Sequence, residues 1–442
     1  MSRDGFGRAA GLGKLAPVLL AWTVARQRAA LATCAARWTT YLLVLVMPLS
    51  VFWPLGPPLV PGVLPIYVTP GLFPSDVAVG LVISAVVLTC RPKVRRAARA
   101  LSFPLLGLAA LATLTAPMAL APVLAVYTAL RWWLMFILYL ALVHVELPFE
   151  KVMKVFLAGL AIQALLGLAQ VLHQGPLGVP GELMLRLGRE RAAAIQIGDT
   201  WWLRAYGLTF HPNVLGGFMA VGLLLGLPLL PRRGFLPLWY LLGLGLVLSF
   251  SRSAWLATAL TLPPIAAWLA WRQPSMRRPL AMTAGGALLV LLVLGALLSA
   301  QVRSRLSLTS LTSERASLVG RGELIGAALG AIAARPVTGI GAGNFPLAAL
   351  LSDIQEVPHA VHNVPLLLAA EVGLLGGVLW LWLWLWPAWR PEVLLRQADP
   401  WPVVLVGAWL ALGVIGLWDF YPWVLNSGQL LSLVLLAWIS RA

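Results

Sequence analysis

Apolar segments long enough to cross a lipid bilayer recur along this chain and constrain its fold more than any other feature. A helix needs about 20 residues to cross a hydrocarbon core of about 30 Å. About twelve candidate spans lie at residues 41–60, 75–90, 101–118, 121–145, 155–173, 209–230, 235–250, 253–271, 280–300, 364–386, 401–418 and 429–439. With 60% hydrophobic and 11% charged residues, the chain is not a soluble enzyme, a disordered chain or a fibrous repeat. We therefore predict a single all-α integral membrane domain over residues 1–442, with about twelve transmembrane helices.

The positive charge of the chain follows this pattern of spans. The formal net charge is +17, and the segments that alternate to one face hold all of the lysines and most of the arginines. Lysine and arginine collect in the cytoplasmic loops of membrane proteins. We therefore predict that both chain ends are cytoplasmic and that residues 1–40 form a basic cytoplasmic segment. The charge then requires no nucleic-acid partner, although a pI near 11.2 suggests one in a soluble chain.

Two outward segments, residues 174–208 and 301–363, are longer than ordinary connections. Loops of this length are usually functional or disordered. Both carry apolar residues at helical spacing, which predicts amphipathic helices lying along the outer membrane face. Their basic residues are arginines, without lysine, and the fixed donors of a guanidinium suit two-point contact with a phosphate. Ordinary salt bridges with the acids of these loops are the alternative.

Polar residues lie at the outward ends of two predicted spans. Arg204, His211 and Asn213 accompany the span that begins near residue 209. One interpretation is that these residues form a binding site. The alternative is that Pro212 and Asn213 only begin and cap a helix. Arg252 occupies the outward turn between two spans. An arginine at that depth is a candidate site residue unless its side chain only extends to the interface.

The second outward segment carries an arginine beside an acid. Residues 318–335 predict a helix that Pro336 ends. Arg321 and Glu323 fall in its first turn, where unpaired N–H groups favour an anion. Glu323 is alternatively no more than an ion-pair partner of Arg321.

His362 and Asn363 lie where this segment enters the next predicted span, close to His359. An imidazole titrates near neutral pH, so His362 is a candidate proton acceptor. A structural role for a histidine at the membrane boundary is the alternative. Glu371 follows within the span and is a further candidate.

Charged residues within the spans need partners because lipid does not solvate them. Arg131 is one of them, and both Asp76 and Glu371 qualify as its partner. The sequence contains no HExxH, no clustered Cys/His set, no D-x-D-type pair of acids in the outward segments and no P-loop. We therefore predict neither a metal site nor a nucleotide or other cofactor.

Four stretches stand in a characteristic order. Residues 204–213 read R-x-x-G-x-x-x-x-P-N, a Ser-Arg-Ser turn occupies residues 251–253, a Gly-Arg pair at residues 320–321 precedes ARPVTGIGAGNF, and HNVPLLLAAEVGLLGG begins at residue 362. This order resembles the O-antigen ligase and O-antigen polymerase superfamily of bacterial envelope glycosyltransferases. The resemblance implies a GT-C-like fold in the bacterial cytoplasmic (inner) membrane, with the active site on the outer face.

The resemblance also implies a reaction and its residues. A saccharide would pass from a polyprenyl-pyrophosphate carrier to a hydroxyl of a lipid or glycan acceptor, with inversion and without a metal. Arg204 and Arg321 correspond to arginines that engage the pyrophosphate, His362 to a loop histidine, and Arg252 to a further basic position. We expect His362 to be the base, with Glu371 or Glu323 as the alternative. The other polar candidates are expected to contact the substrate: His211, Asn213, Arg252, Glu323, Asn363 and Glu371.

Two other classes of function fit the same sequence. A transporter or flippase of lipid-linked or anionic solutes would also need many spans and charges within them. However, no repeated pair of interrupted helices relates the two halves of the chain. A non-catalytic scaffold is the other class, and under it the arginines and histidines of the outward segments would not form a common site.

Overall fold

A computed structural model describes residues 31–59, 63–89, 96–145, 147–184, 194–306, 312–352, 354, 358–389 and 399–441. Helices predominate in these ranges, and the strands found there form two short two-stranded sheets. Residues 1–30 of the predicted basic segment lie outside the described part of the chain.

The described helices follow one another along the chain, mostly with short connections. They are α1 (Leu31–Val46), α2 (Pro65–Val68), α3 (Pro74–Thr89), α4 (Arg96–Thr115), α5 (Pro122–His144), α6 (Phe149–His173), α7 (Pro212–Gly226), α8 (Leu236–Leu248), α9 (Arg252–Arg272), α10 (Pro274–Leu297), α11 (Ser299–Leu306), α12 (Thr312–Ala334), α13 (Phe345–Leu351), α14 (Val364–Val372), α15 (Leu374–Leu385), α16 (Trp401–Gly416), α17 (Tyr421–Val424) and α18 (Asn426–Arg441). The strands are β1 (Trp53–Pro54), β2 (Gly71–Leu72), β3 (Ala194–Ile197) and β4 (Thr200–Leu203).

Six helical segments of the described chain are long and apolar enough to cross a membrane. They belong to α4, α5, α6, α7, α9 and α10. Five further apolar helices in the described ranges are shorter, namely α1, α3, α8, α15 and α16. This helix content agrees with the predicted all-α membrane architecture. The number of twelve transmembrane helices stays a prediction.

The first predicted span, residues 41–60, is wrong in its second half. α1 ends at Val46, and the chain then contains β1, which pairs antiparallel with β2. Pro48 and the Pro57-Pro58 pair have no amide N–H to donate and therefore disfavour a helix in this stretch. Apolar composition alone thus predicted a helix where prolines oppose one.

The first outward segment contains strands in its described part, residues 174–184 and 194–208, and the amphipathic helices predicted there are wrong. The described parts of residues 174–208 contain no helix, whereas β3 and β4 pair antiparallel with Ala194 opposite Leu203. Isoleucine and tryptophan are enriched in this stretch, and β-branched and aromatic side chains favour strands. The second outward segment does contain helices, α11 to α13.

The predicted start of α12 near residue 318 is also wrong, because the helix begins six residues earlier at Thr312. Arg321 therefore lies more than two turns inside the helix, where backbone N–H groups are already bonded to preceding carbonyls. Gly320 and Gly322 weaken a helix but do not end it. The predicted stop before Pro336 is confirmed.

The predicted span at residues 364–386 consists of two helices, α14 and α15, that meet at Gly373. This residue has φ 85° and ψ 167°, and a Cβ there would overlap the carbonyl oxygen of Val337. The loop after α12 occupies that space, since the N–H of Leu374 donates to the carbonyl oxygen of Pro336 at 2.9 Å. The loop after α12 thus forms a backbone hydrogen bond with the chain at the point where α14 and α15 meet.

α7 lies at the centre of the main hydrophobic core. Its residues from 214 to 226 are all buried, and it contacts α6, α8, α9 and α16. Gly217 allows Tyr421 of α17 to approach, because a Cβ would overlap the Tyr421 hydroxyl. A smaller second core packs α12, α13 and α14 together and includes Leu324 and Phe345.

Arg131 of α5 has its partner in α3. Its Nη1 donates to both carboxylate oxygens of Asp76 (2.9 and 2.8 Å), and its Nη2 donates to Oδ1 of Asn426. Asn426 in turn donates to the hydroxyl of Ser75 at 2.6 Å. The partner is therefore Asp76 and not Glu371, and this network joins α3, α5 and α18.

We expect Arg131→Leu to lower the thermal stability of the protein in detergent strongly. The change leaves Asp76 charged and without its partner in a site where the side chain is 11% exposed. Removing one partner of a buried pair costs about 3–5 kcal/mol.

Arg232→Leu is the matched control. Arg232 pairs with Glu150 at 2.6 Å, but both side chains are about half exposed, and exposed pairs contribute about 0–1 kcal/mol. Equal and small losses of stability in both variants would contradict a structural role for the Arg131–Asp76 pair.

Candidate active site

His211 caps the N-terminus of α7. Its Nδ1 accepts a hydrogen bond from the backbone N–H of Asn213 at 3.1 Å, and Pro212 occupies the first turn of the helix. The alternative of a helix start is confirmed, but the cap is His211 and not Asn213. Because Nδ1 accepts this bond, the proton of a neutral His211 lies on Nε2.

The side chain of Asn213 bridges an arginine and an acid. Its Oδ1 accepts from Nη2 of Arg204 (2.6 Å), and its Nδ2 donates to Oδ2 of Asp419 (2.8 Å). Nε of Arg204 donates to the carbonyl oxygen of Ser249 at 2.8 Å. Arg204 is 2% exposed and Asp419 4%. The amide of Asn213 therefore links two buried charged side chains, Arg204 on its oxygen and Asp419 on its nitrogen.

Arg321 lies on the inward face of α12. It precedes Leu324 by three residues and Ala328 by seven, a spacing that places the three side chains on one side of the helix, and both apolar residues are fully buried. Burial raises the pKa of Asp419, and the charge of Arg321 and the hydrogen bond from Asn213 oppose this shift. The guanidinium and the carboxyl are therefore close enough to interact through their charges.

Two histidine rings and a phenylalanine ring lie next to this pair. The ring centroids of His359 and His362 are 4.8 Å apart, and Phe420 lies 5.6 Å from the former and 5.1 Å from the latter. Nδ1 of His359 donates to the carbonyl oxygen of Ala360 at 2.9 Å. Nδ1 of His362 is buried and has no hydrogen-bond partner among the described residues.

The surroundings of His362 favour its neutral form. Burial holds its pKa well below the usual value, and the positive charges of Arg321, His359 and His211 lower the pKa further. A neutral imidazole has one nitrogen lone pair that can accept a proton. Because these charges act on His362, the sequence candidates Arg321, His211 and His362 share one region of the molecule. We define the active-site cluster as these three residues together with His359 and Asp419.

Asn363 connects α14 to the end of α16. Its Oδ1 accepts from the backbone N–H of Leu366 (2.9 Å) and caps α14, and its Nδ2 donates to the carbonyl oxygen of Leu417 (3.1 Å). Its amide therefore fixes the turn that carries His362. The substrate contact expected of Asn363 stays a prediction.

Glu371 holds the glycine-rich loop against α14. Its side chain is buried and accepts from the backbone N–H of Phe345 at 3.1 Å. Its carbonyl oxygen accepts from the N–H of Gly341 (2.8 Å), and the N–H of Ile340 donates to Ala370 (3.0 Å). The contacts that we see for Glu371 are with this loop and not with the active-site cluster.

Arg252 of α9 and Glu323 of α12 are both half-buried. Arg252 begins α9 after the cap residue Ser251. Ser251 follows Phe250, whose φ of 46° is uncommon for a bulky residue and whose carbonyl oxygen accepts from Nε of Arg305 at 3.1 Å. Glu323 follows Arg321 by two residues and therefore points to a different side of α12.

Two residues at this place are absent from the sequence-based site, Asp419 and Tyr67. The ring of Tyr67 lies 5.8 Å from Phe420 and 6.1 Å from Phe210. Burial raises the pKa of Tyr67, and the charge of Asp419 raises it further. An acid at the outward end of a span is a usable signal for Asp419. Tyr67 lies in a four-residue helix far away in sequence and gives no such signal.

The cluster combines a guanidinium, three imidazoles and a buried carboxyl. The guanidinium can bind an anion, and the neutral imidazole of His362 can accept a proton. Within the described residues, no three His, Cys, Asp or Glu side chains are grouped so that they could hold a metal ion.

A comparison with protein families finds one match, to the family described as O-antigen ligase, over residues 236–381. No curated protein matches the chain. The matched segment runs from α8 to α15 and contains Arg321 and His362, whereas Arg204, Asn213 and Asp419 lie outside it. The match confirms, for residues 236–381, the resemblance of this chain to the O-antigen ligase and O-antigen polymerase superfamily.

Proposed function

We propose that this protein is a membrane glycosyltransferase that moves a saccharide from a polyprenyl-pyrophosphate carrier to an acceptor hydroxyl on a lipid or glycan, with inversion and without a metal. The observation that carries the proposal is the convergence of Arg321 and His362 beside Asp419. The O-antigen ligase match includes the first two of these residues and supports the same reaction.

Arg321 would neutralise the departing diphosphate. A sugar diphosphate needs charge stabilisation more than protonation when its bond to the sugar breaks. A preorganised guanidinium supplies that stabilisation in a site from which water is largely excluded. The carboxyl of Asp419 interacts with the charge of this guanidinium, and because burial raises the pKa of Asp419, its negative charge competes less with the diphosphate.

His362 would accept the proton of the acceptor hydroxyl. As the oxygen–carbon bond to the sugar forms, the proton passes to the imidazole and the diphosphate leaves with the electron pair of the broken bond. His362 is neutral in the free protein because of its burial and the nearby positive charges. A bound diphosphate offsets those charges, so it raises the pKa of His362 and strengthens the base.

Arg204 and Asn213 would act as positioning residues. The resemblance implies direct contact between Arg204 and the pyrophosphate, but Arg204 is 2% exposed and donates to Asn213 and Ser249. We therefore assign it to holding Asn213, which in turn holds Asp419. His211, with its proton on Nε2, is a proposed donor to the diphosphate.

The membrane body would hold the lipid carrier. We propose about twelve spans in the bacterial cytoplasmic membrane, both chain ends on the cytoplasmic side and the active-site cluster on the outer side. α9 and α10 leave most of their apolar surface uncovered by the rest of the chain, since only 22% and 11% of their most apolar stretches are buried. Such surfaces suit contact with lipid tails, including that of a polyprenyl chain.

We expect Arg321→Ala to lower kcat about 100- to 1,000-fold, the typical effect of removing one preorganised donor to a developing negative charge. Arg321→Lys should recover part of the loss, because a lysine keeps the charge but not the fork of donors. Product formation from a purified lipid-pyrophosphate glycan, followed by mass spectrometry, measures the change.

Arg303→Ala is the control for Arg321→Ala, since Arg303 is an exposed arginine of the same outward segment. Full activity of Arg321→Ala would remove the site assignment. Movement of the donor across proteoliposomes without a new glycosidic bond would favour a transporter instead.

We expect His362→Ala to lower kcat about 100- to 10,000-fold, the usual contribution of a general base. In the wild-type protein, the acidic limb of the kcat/KM profile should lie below pH 6.5, because the lowered pKa keeps His362 neutral to more acidic pH. His173→Ala, a change at an exposed histidine at the end of α6, should leave the profile unchanged. An acidic limb above pH 6.5 would contradict His362 as the base.

We expect activity to persist when EDTA removes divalent cations. Arginine supplies the charge stabilisation in this mechanism, so neither Mg²⁺ nor Mn²⁺ is needed for the step. A strict requirement for either cation, restored by adding it back, would contradict the proposed role of Arg321.

A further inference from the structure

A cavity lies beside the active-site cluster, between α2, α5, α13, α14, α17 and α18. About 750 Å³ of space, part of it open to the surroundings, lies between the atoms that line it. Tyr67 and Ala360 belong to its wall. The ring of Tyr67 contacts Phe420, and Ala360 lies between the two histidines in sequence. The cavity is thus adjacent to the place where the diphosphate is proposed to leave.

Two buried polar atoms in the lining of this cavity lack hydrogen-bond partners within the described chain. They are Oγ1 of Thr69 and Nε1 of Trp423, in residues that are 2% and 7% exposed. Buried polar groups are nearly always hydrogen-bonded, so each exception calls for an explanation. An indole N–H can only donate, whereas a hydroxyl donates or accepts. A ligand that satisfies both atoms therefore needs an oxygen acceptor and preferably a hydroxyl.

The charges around the cavity disfavour an anionic ligand. Arg131 lines it, but its guanidinium is paired with the carboxylate of Asp76. The other charged residue in the lining is the acid Glu371, which accepts from the backbone of Phe345. The cavity therefore has no unbalanced positive charge to attract a phosphate, and it suits a neutral ligand.

Aromatic side chains form much of the wall. Trp132 and Trp423 meet edge to face at 5.9 Å, and Phe73, Tyr127 and Tyr67 complete the aromatic lining. Such side chains combine flat apolar faces with single polar atoms. A pyranose ring has the matching chemistry, with apolar C–H faces and hydroxyl groups around its edge.

We propose that this cavity is a subsite for one neutral saccharide ring of the substrate, held through Thr69 and Trp423. The inference rests on the proposed function for the source of the ring, which is either the donor glycan or the acceptor glycan. In both cases the ring lies next to the active-site cluster, and the cavity selects neutral, hydroxyl-bearing sugars.

The test uses Thr69→Val, which replaces a hydroxyl by a methyl group of similar size, and Trp423→Phe, which removes the indole N–H together with part of the ring. Each should raise the KM for one substrate about tenfold and leave kcat within twofold. An increase in the KM of the donor places the donor sugar in the cavity, and an increase in the KM of the acceptor places the acceptor sugar there. Trp389→Phe and Thr200→Val, at exposed positions, are the controls.

Thermal unfolding separates this role from a structural one. The Thr69 hydroxyl has no partner in the described chain, so Thr69→Val should not lower the Tm of the substrate-free protein. Trp423→Phe also removes packed ring surface, so it is compared with the wild type by KM and by the response to the probes. Methyl glucoside and methyl galactoside, used as probes, should raise the Tm of the wild type but not of the variants. A lowered Tm of Thr69→Val without substrate, or unchanged KM values for both substrates in both variants, would overturn the subsite.

The outcomes also distinguish the two proposals. If the wild type forms no glycosidic product but a methyl glycoside stabilises it in a way that depends on Thr69, the proposed function fails and the subsite stands. If transfer proceeds and both variants match the wild type, the subsite fails and the proposed function stands.

Discussion

The amide of Asn213 joins parts of the chain that are far apart in sequence. It accepts from Arg204, nine residues before it, and donates to Asp419, 206 residues after it. A buried guanidinium and a buried carboxyl are costly unless their polar atoms are satisfied. The amide satisfies one of each without bringing the two charges into direct contact. Asp419 is thereby held where its carboxyl and the charge of Arg321 interact, so the active-site cluster depends on this one side chain.

The break between α14 and α15 at Gly373 also helps to position the active-site cluster. Breaking a helix within a membrane protein exposes backbone groups that lipid cannot satisfy. Here the loop after α12 supplies partners on both sides of Gly373, through Pro336 to Leu374 and through Gly341 to Glu371. α12, which carries Arg321, is therefore fixed to the helix that begins just after His362. The separation of guanidinium and imidazole is set by backbone hydrogen bonds and not by side chains alone.

Hydrophobicity alone located many of the helices but not their interruptions. The span predicted at residues 121–145 corresponds closely to α5, whereas Gly373 divides a segment of uniform apolar composition. The candidate site was predictable where the side chain itself suggests a chemical role, as a guanidinium does for anion binding and an imidazole for proton transfer. Arg321 and His362 are such residues, and the structure brings them into one region. Tyr67 was not predictable, because only tertiary contacts place it beside Phe420. The deep position of Arg204 likewise follows from packing, about which its sequence neighbours carry no information.

The caps of α7 and α14 have an electrostatic consequence. His211 and Asn363 mark the N-terminal ends of these helices, and both ends lie at the active-site cluster. The aligned peptide dipoles of a helix place the equivalent of about half a positive charge at its N-terminus. The N-termini of two helices therefore contribute positive potential near the active-site cluster, and peptide groups do not titrate as imidazoles do. Part of the attraction that we propose for a diphosphate would persist at any pH at which the protein is folded, whatever the protonation state of its imidazoles.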